Sequence, residues 1–250
     1  GDVEKSLPDA ARCIENNGDL RQVDGISFWD NGVLVRTKTV APTDLGSLPP
    51  PYFDPFFASP GAFRLGLRFA FSRGCINRCS FCYMHKYKEY TGTEGMGVRY
   101  YPVPYLMDAL KQAAKHHSDC KVVYFTYGTF TASKEFTREF CQAFRDSGLP
   151  MSFVIATRLD RVDEEIARWL KEANCSKVSV AIESGVERLR NKVLRKGLTD
   201  KMIFEGMAAL HKHGLRVGTG IMLGFPGETI DDAFASLDMA HALKADFINV

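Results

Sequence analysis

Three thiols fall within eight positions of the stretch RGCINRCSFCYMH, at Cys75, Cys79 and Cys82, while the other four of the chain's seven cysteines are scattered. Sulfur is a soft donor, so a C-x3-C-x2-C cluster selects zinc or an iron-sulfur cluster over hard cations. Two donor sets are open. His85 follows Cys82 at a two-residue gap and would complete a closed Cys3His zinc site. Alternatively the three cysteines hold an iron-sulfur cluster unaided. Ferredoxin-type clusters take four cysteines, and the nearest fourth, Cys120, lies far along the chain, so one iron would stay open to a reacting ligand. Gly74 and Asn77 let the backbone fold around a bound object, and Arg73 and Arg78 are expected to offset thiolate charge.

A chain of 250 residues with 45% hydrophobic content can bury one large core, and its composition imposes no second domain. Lysine plus arginine (32) nearly balances aspartate plus glutamate (30), so no strong field would gather nucleic acid or an anionic membrane. No apolar run approaches the roughly 20 residues that span a bilayer, and GDVEKSLPDA lacks the plan of a signal peptide. A cytoplasmic location is expected. An odd cysteine count without paired spacing argues against a secreted disulfide framework. Cys141, among Phe136, Phe140 and Phe144, reads as a small buried hydrophobe.

Positioning a reactive loop requires a frame, and the chain has two compositional parts. Residues 1–62 are rich in turn formers, with Asn16, Asn17 and Gly18, then Asp30, Asn31 and Gly32, then a proline-rich run from Pro42 to Pro60. They predict an irregular connector wrapped on a surface, with GISFW and VLVRTKTV pairing as a short hairpin. Residues 63–250 alternate β-rich runs (LRFAFS, KVVYFTY, MSFVIATR, KVSVAIES, RVGTGIMLG and ADFINV) with helical runs. Apolar stripes at Phe136, Phe140 and Phe144, at Ile166, Trp169, Leu170 and Ala173, and at Ile203, Met207 and Leu210 predict core-facing helices. Ser133, Asp163, Thr199 and Thr229 are placed to cap helix starts, Thr229 with Asp232 as a capping box, and Gly148 and Gly214 to follow helix ends.

This alternation predicts an α/β fold, a partial (β/α)6 TIM-type barrel of parallel strands. Because no helix follows ADFINV, the barrel is expected to be cut short at its C-terminal end. The cysteines come directly after the first strand, where loops at strand C-termini build barrel active sites.

The three cysteines, with Phe81 just before the last, resemble the signature of the radical S-adenosylmethionine (radical SAM) superfamily. VAIESGVERLRNKVLRKGLT and GIMLGFPGET are similar to the fourth- and fifth-strand regions of many members, so the likeness runs over roughly Arg64 to Val250. The resemblance implies that Cys75, Cys79 and Cys82 hold a 4Fe-4S cluster whose fourth iron takes the amino and carboxylate groups of S-adenosylmethionine. Reduction would then cleave the sulfonium to methionine and a 5'-deoxyadenosyl radical that abstracts hydrogen from a substrate. It also implies cofactor contacts: Phe81 near the adenine, Glu183 at the ribose or methionine portion, Arg195 at the carboxylate, and Gly224, Pro226 and Gly227 along the adenosine. Each has a plainer alternative: shielding of the cluster by Phe81, a barrel-mouth salt bridge for Glu183, a solvated helix-end position for Arg195, and a tight loop for GFPGET. YFTYGTFT departs from the carboxylate-bearing segment usual in the family, leaving hydroxyls and carbonyls of Thr126, Tyr127 and Thr129 to meet the cofactor amine.

The segment DLRQVDGISFWDNGVLVRTKTVAPTDLGSLPPPYFD resembles the linker that joins an N-terminal cobalamin-binding domain to the barrel in cobalamin-dependent members. LPDAARCIENNGDL would be the tail of that domain. No D-x-H-x-x-G cobalamin signature occurs in the chain, so cobalamin would be held by an upstream domain. This subgroup implies methyl transfer to carbon or phosphorus, or radical ring closure, with an unidentified substrate and a one-electron reductant such as flavodoxin or ferredoxin as partners. A methylthiotransferase or peptide maturase would favour cysteines for an auxiliary cluster, and the scattered cysteines show no such spacing. The rival from another class is a non-catalytic zinc module built on Cys75, Cys79, Cys82 and His85.

Overall fold

The structure, a computed structural model, describes residues 2–54, 66–91, 93 and 96–250. The side chains of His85 and Thr91, and the stretch 55–65 that contains the expected boundary at residue 62, lie outside the described residues.

The N-terminal part holds a helix α1 (Val3–Glu15) and the expected hairpin, β1 (Ser27–Asp30) with β2 (Val33–Arg36). Asn31 and Gly32 both take positive φ (47° and 81°), the conformation that a two-residue turn needs to match strand twist. Helix α1 is more order than an irregular connector implies. Its sequence hides it, because Pro8 sits inside the helix and Leu7 and Ile14 stay exposed, leaving no buried apolar stripe to read. Beyond the hairpin the chain packs against later elements: Leu45 is buried, Tyr105 Oη donates to the Pro49 carbonyl at 2.9 Å, and Phe53 meets Phe69 edge-on.

The LRFAFS run pairs as a parallel strand over two residues only, β3 (Leu67–Arg68). The chain then turns out of the sheet as β4 (Ser72–Arg73), which pairs antiparallel with β5 (Arg99–Tyr100). Between them lie the cysteine loop and α2 (Tyr83–Thr91). Helix α3 (Val103–His116) returns the chain to the sheet. From there the alternation is regular: β6 (Val122–Phe125), α4 (Lys134–Asp146), β7 (Ser152–Thr157), α5 (Glu164–Glu172), β8 (Cys175–Glu183), α6 (Asp200–Lys212), β9 (Val217–Ile221), α7 (Ile230–Ala242) and β10 (Phe247–Asn249).

Six strands pair in parallel in the order β10, β9, β8, β7, β6, β3. Each strand lies beside its predecessor in the repeat, which is the winding of a barrel and not of a doubly wound sheet. The sheet ends at β3 and β10, and no pairing closes it among the described residues.

Every expected helix start is capped by the expected side chain: Ser133 Oγ accepts from Phe136 N (3.2 Å), Asp163 from Ile166 N (2.9 Å), and Thr199 from Met202 N (3.3 Å). Thr229 and Asp232 form the reciprocal capping box. The core is a phenylalanine stack. Phe136, Phe140 and Phe144 of α4 pack on Phe71, Phe125, Phe130 and Phe153, with Phe140 and Phe125 edge-on at 5.3 Å. Each such ring contributes about 1.5–3 kcal/mol on burial. Cys120, Cys141 and Cys175 are buried within the core, and Cys13 lies on α1.

Candidate functional site

The cysteine loop opens at Gly74, whose φ of +95° and close approach to the Gly97 carbonyl (3.1 Å from where a Cβ would stand) require glycine. Cys75, Cys79 and Cys82 are not disulfide-bonded and are partly buried. The loop is pinned on both flanks. Lys88, reaching back from α2, donates to the carbonyls of Cys75 and Met96, each at 2.8 Å. On the opposite flank Ser80 donates its backbone N–H to Leu194 O (2.9 Å) and its hydroxyl to Val193 O (2.7 Å). Asn77 turns its N–H and Nδ2 toward Cys75 Sγ at 3.5 Å, and its Nδ2 also meets Thr129 Oγ1 at 3.4 Å. Burial pushes the Cys79 thiol up, against the opposing pull of Lys196 and then Arg158.

Among the described residues no group of three His, Cys, Asp or Glu side chains is placed to hold a metal ion. The side chain of His85, the fourth donor of the zinc alternative, lies outside the described residues.

Arg73 does not serve the thiolates. Its guanidinium binds Asp2 (2.9 Å), Glu4 and Tyr101 Oη (2.9 Å), because β4 runs beside the start of α1. Arg78 is exposed and lines a cavity of about 880 Å³ together with Cys75, Asn77, Lys86, Lys88 and Arg195.

Beside the loop lies a buried polar cluster formed by the ends of β7 and β8. The pairing of β8 with β9 slips between Ala181 and Glu183, and Glu183 takes φ +66°, which turns its side chain inward at the strand end. Its Oε1 accepts from Lys196 Nζ at 3.0 Å, and both residues are buried. The salt-bridge alternative for Glu183 is therefore realised. Arg195 has φ +50° and is exposed on the cavity rim, so in the dipeptide Arg195-Lys196 the lysine takes the interior position. Arg158, at the end of β7, completes the cluster. It binds Asp160 through Nε (2.8 Å) and Nη2 (3.1 Å) and the Lys196 carbonyl through Nη2 (2.7 Å). Lys196 and Arg158 were not expected from sequence; a pair of cations in LRKG is a signal, but which one turns inward depends on the backbone.

The remaining expected residues sit around the same strand ends. Phe81 is exposed, free to cover whatever the loop holds. Gly224 and Gly227 take φ +86° and +77°, and Pro226 is exposed between them. The amides of this turn already have an anion: the Glu228 carboxylate accepts from Gly224 N and from Phe225 N at 3.1 Å. In YFTYGTFT, Thr129 faces Asn77, Tyr127 donates to Met84 Sδ (3.3 Å), and Thr131 bonds Thr157 at 2.5 Å. Only Thr129 of these hydroxyls reaches the cysteine loop itself.

Three clustered thiols on a pinned loop at the strand ends of a barrel-ordered sheet coincide with the match of residues 69–240 to the Radical SAM superfamily. The chain belongs to that superfamily. Over 99% of its length it is 24% identical to an uncharacterized methyltransferase of Pyrococcus horikoshii, covering 53% of that protein. Over 68% of its length it is 30% identical to cytidylyl-2-hydroxyethylphosphonate methyltransferase of Streptomyces wedmorensis, covering 32% of it. The chain thus spans about half of the length of the first of these relatives and about a third of the second. Among solved structures, the radical SAM methyltransferase TsrM from Kitasatospora setae superimposes with a TM-score of 0.77 at 19% identity, over 99% of this chain and 49% of that one. The cobalamin-dependent radical enzyme OxsB superimposes with a TM-score of 0.75 at 20% identity, over 95% of this chain and 35% of that one. In both, the shared fold extends over nearly the whole of this chain.

Proposed function

We propose that this chain is the catalytic core of a radical SAM methyltransferase, with Cys75, Cys79 and Cys82 holding a 4Fe-4S cluster. The observation that carries the reading is the pinned loop of three clustered, partly exposed thiols at the strand C-termini of a chain that belongs to the superfamily. The donor set fits the group: all three are soft, and Asn77 directs N–H groups at Cys75 Sγ. Such a cluster supplies the electron that cleaves S-adenosylmethionine.

The chain's own residues bind and orient. Lys88 and Ser80 hold the loop's shape, and Phe81 covers its open side from water. Glu183 and Lys196 present fixed opposite charges toward the methionyl end of the cofactor, Arg195 serves its carboxylate from the rim, and the Gly224–Pro226 turn lies along the adenosine. Residues 1–62 act as the connector and 63–250 as the core. Both relatives named above are methyltransferases, which supports methyl transfer over ring closure, and cobalamin would come from a domain outside this chain.

Anaerobic reconstitution of the protein tests the reading. Iron and sulfide near four of each per chain, with dithionite-dependent formation of 5'-deoxyadenosine or S-adenosylhomocysteine, is the expected result, abolished by Cys79→Ala. One tightly held zinc with no consumption of S-adenosylmethionine would overturn it.

A further inference from the structure

The segment between β8 and α6 carries the cations Arg188, Arg190, Lys192, Arg195 and Lys196, and of these Arg190 is the one with no exposed surface, at 0%. Enclosing a guanidinium is costly unless it is well paired, and Arg190 spends its N–H groups on the backbone around it. Nε donates to the Leu198 carbonyl at 2.6 Å and Nη1 to the Ser184 carbonyl at 2.7 Å, while Nη2 pairs with Asp200. One side chain thus ties together the two ends of residues 184–198. Between those ends the chain winds as a short π-helix, Leu189–Val193, closed by the Leu194 N–H on the Leu189 carbonyl at 2.9 Å. This wide turn is uncommon and is found mostly at functional sites. The last carbonyls of any helix lack partners within it. Here those of Val193 and Leu194 are taken by Ser80, next to Cys79, through its hydroxyl at 2.7 Å and its N–H at 2.9 Å. Lys196 closes the ring, with its N–H on the Arg190 carbonyl (3.0 Å) and its Nζ on Glu183 (3.0 Å). The braced turn therefore touches the cysteine loop through Ser80, follows directly on Glu183 and leads directly into Arg195 and Lys196.

We propose that Arg190 is a positioning residue for S-adenosylmethionine, bracing residues 184–198 so that the cysteine loop and the side chains that meet the cofactor keep one fixed relative geometry. The proposal rests on the reading of Glu183 and Arg195 as cofactor contacts. Arg190 is itself enclosed and acts through the carbonyls it holds. A planar guanidinium can hold two carbonyls and a carboxylate at once, whereas a lysine ammonium is a single point charge on a flexible stem. Arg190→Lys therefore keeps the charge and loses the brace.

The test compares the unmodified protein with Arg190→Lys, Ser80→Ala, the double variant, and Lys192→Gln, which removes an exposed charge from the same turn. In the apoprotein, hydrogen exchange of the Ser80 amide should be about tenfold faster in Arg190→Lys, with the amides of β7 and β8 unchanged. After reconstitution that variant should retain the same iron and sulfide yet bind S-adenosylmethionine about tenfold more weakly by equilibrium dialysis. At a concentration that saturates the unmodified protein, the change that S-adenosylmethionine induces in the EPR spectrum of the reduced cluster should shrink accordingly. Ser80→Ala should weaken binding by itself, and adding Arg190→Lys to it should cost less than in the unmodified background, because both act on one turn. Lys192→Gln should alter none of these. An unchanged Ser80 amide with unchanged affinity in Arg190→Lys overturns the proposal, as do strictly additive effects of the two substitutions. Faster exchange throughout β7 and β8, or failure of Arg190→Lys to fold, also overturns it by making the role one of general stability. An unmodified protein that loads its cluster and does not bind S-adenosylmethionine overturns the reading of Glu183 and Arg195 instead, while the Ser80 amide of the apoprotein still reports whether Arg190 braces the loop.

Discussion

A short spacing motif is legible because the chain itself keeps its members together: nothing in folding could move Cys75, Cys79 and Cys82 far apart. What shapes the loop is less legible. Lys88 lies thirteen residues beyond Cys75 and looks in sequence like one more solvated lysine of a charged helix, yet its ammonium caps the carbonyls of Cys75 and Met96. Hydrogen bonds to a charged donor contribute about 1.5–3 kcal/mol each. Lys88→Met should therefore free the loop's N-terminal flank and at least halve the iron retained after desalting, whereas Lys111→Met, at an exposed surface pair, should leave iron content unchanged. Iron retention in Lys88→Met equal to the unmodified protein would show that Ser80 and the thiols suffice. The same limit on legibility applies to Lys196 and Arg195. Adjacent cations of similar length cannot be ranked by residue type, and it is the left-handed backbone at Arg195 that sends one outward and the other in.

Strands and helices of the barrel were readable in sequence for a different reason. Parallel strands covered on both faces need consecutive apolar residues, and β7 buries Phe153, Val154 and Ile155 in a row. Caps and stripes then mark the helices between them. Close approach between elements leaves weaker traces. Gly185, two residues past Glu183, carries no positive φ, so its need is invisible to turn chemistry. In the structure α7 crosses so near that a Cβ there would stand 2.3 Å from the Ala235 carbonyl oxygen, and the Gly185 N–H meets Ser236 Oγ at 2.9 Å. Gly185→Ala must push α7 off the end of β8, at a cost of about 1–3 kcal/mol for overpacking. The expected outcome is a lower denaturant midpoint with an unchanged m-value. Because Glu183 sits on the same strand end, weaker retention of S-adenosylmethionine should accompany it. A midpoint within error of the unmodified protein would mean that α7 is not seated against β8 as described.

At the scale of the whole molecule, the start of the chain is joined by charge to the two short strands that flank the cysteine loop. Asp2 and Glu4, at the start of α1, hold Arg73 and Arg99 on β4 and β5, some seventy to ninety-seven residues away, and Asp2 also accepts from Thr43 N at 2.8 Å. No sequence pattern announces a pairing over that separation, and Arg73 in particular reads as a companion of the thiols until the fold brings α1 to it. The pairing makes the junction pH-dependent with a definite sign. Burial alone would raise the Asp2 carboxyl, but Arg99, Arg73 and the Thr43 amide outweigh it and hold it at about 2, below its ordinary 3.8. Glu4 is lowered as well, by Arg73 above all. A carboxylate depressed in the folded state stabilises above its unfolded value and loses that contribution as pH falls through its folded value. The latch should therefore be fully engaged above about pH 4 and released between about pH 4 and pH 2. Hydrogen exchange of α1 in the apoprotein measures this: its protection should fall across that window before that of β7 and β8. Asp2→Asn should bring about the same local release at neutral pH, where the unmodified latch is intact. Protection of α1 that stays constant down to pH 2, or that is unaffected by Asp2→Asn, would show that α1 is held by its apolar contacts and not by these carboxylates.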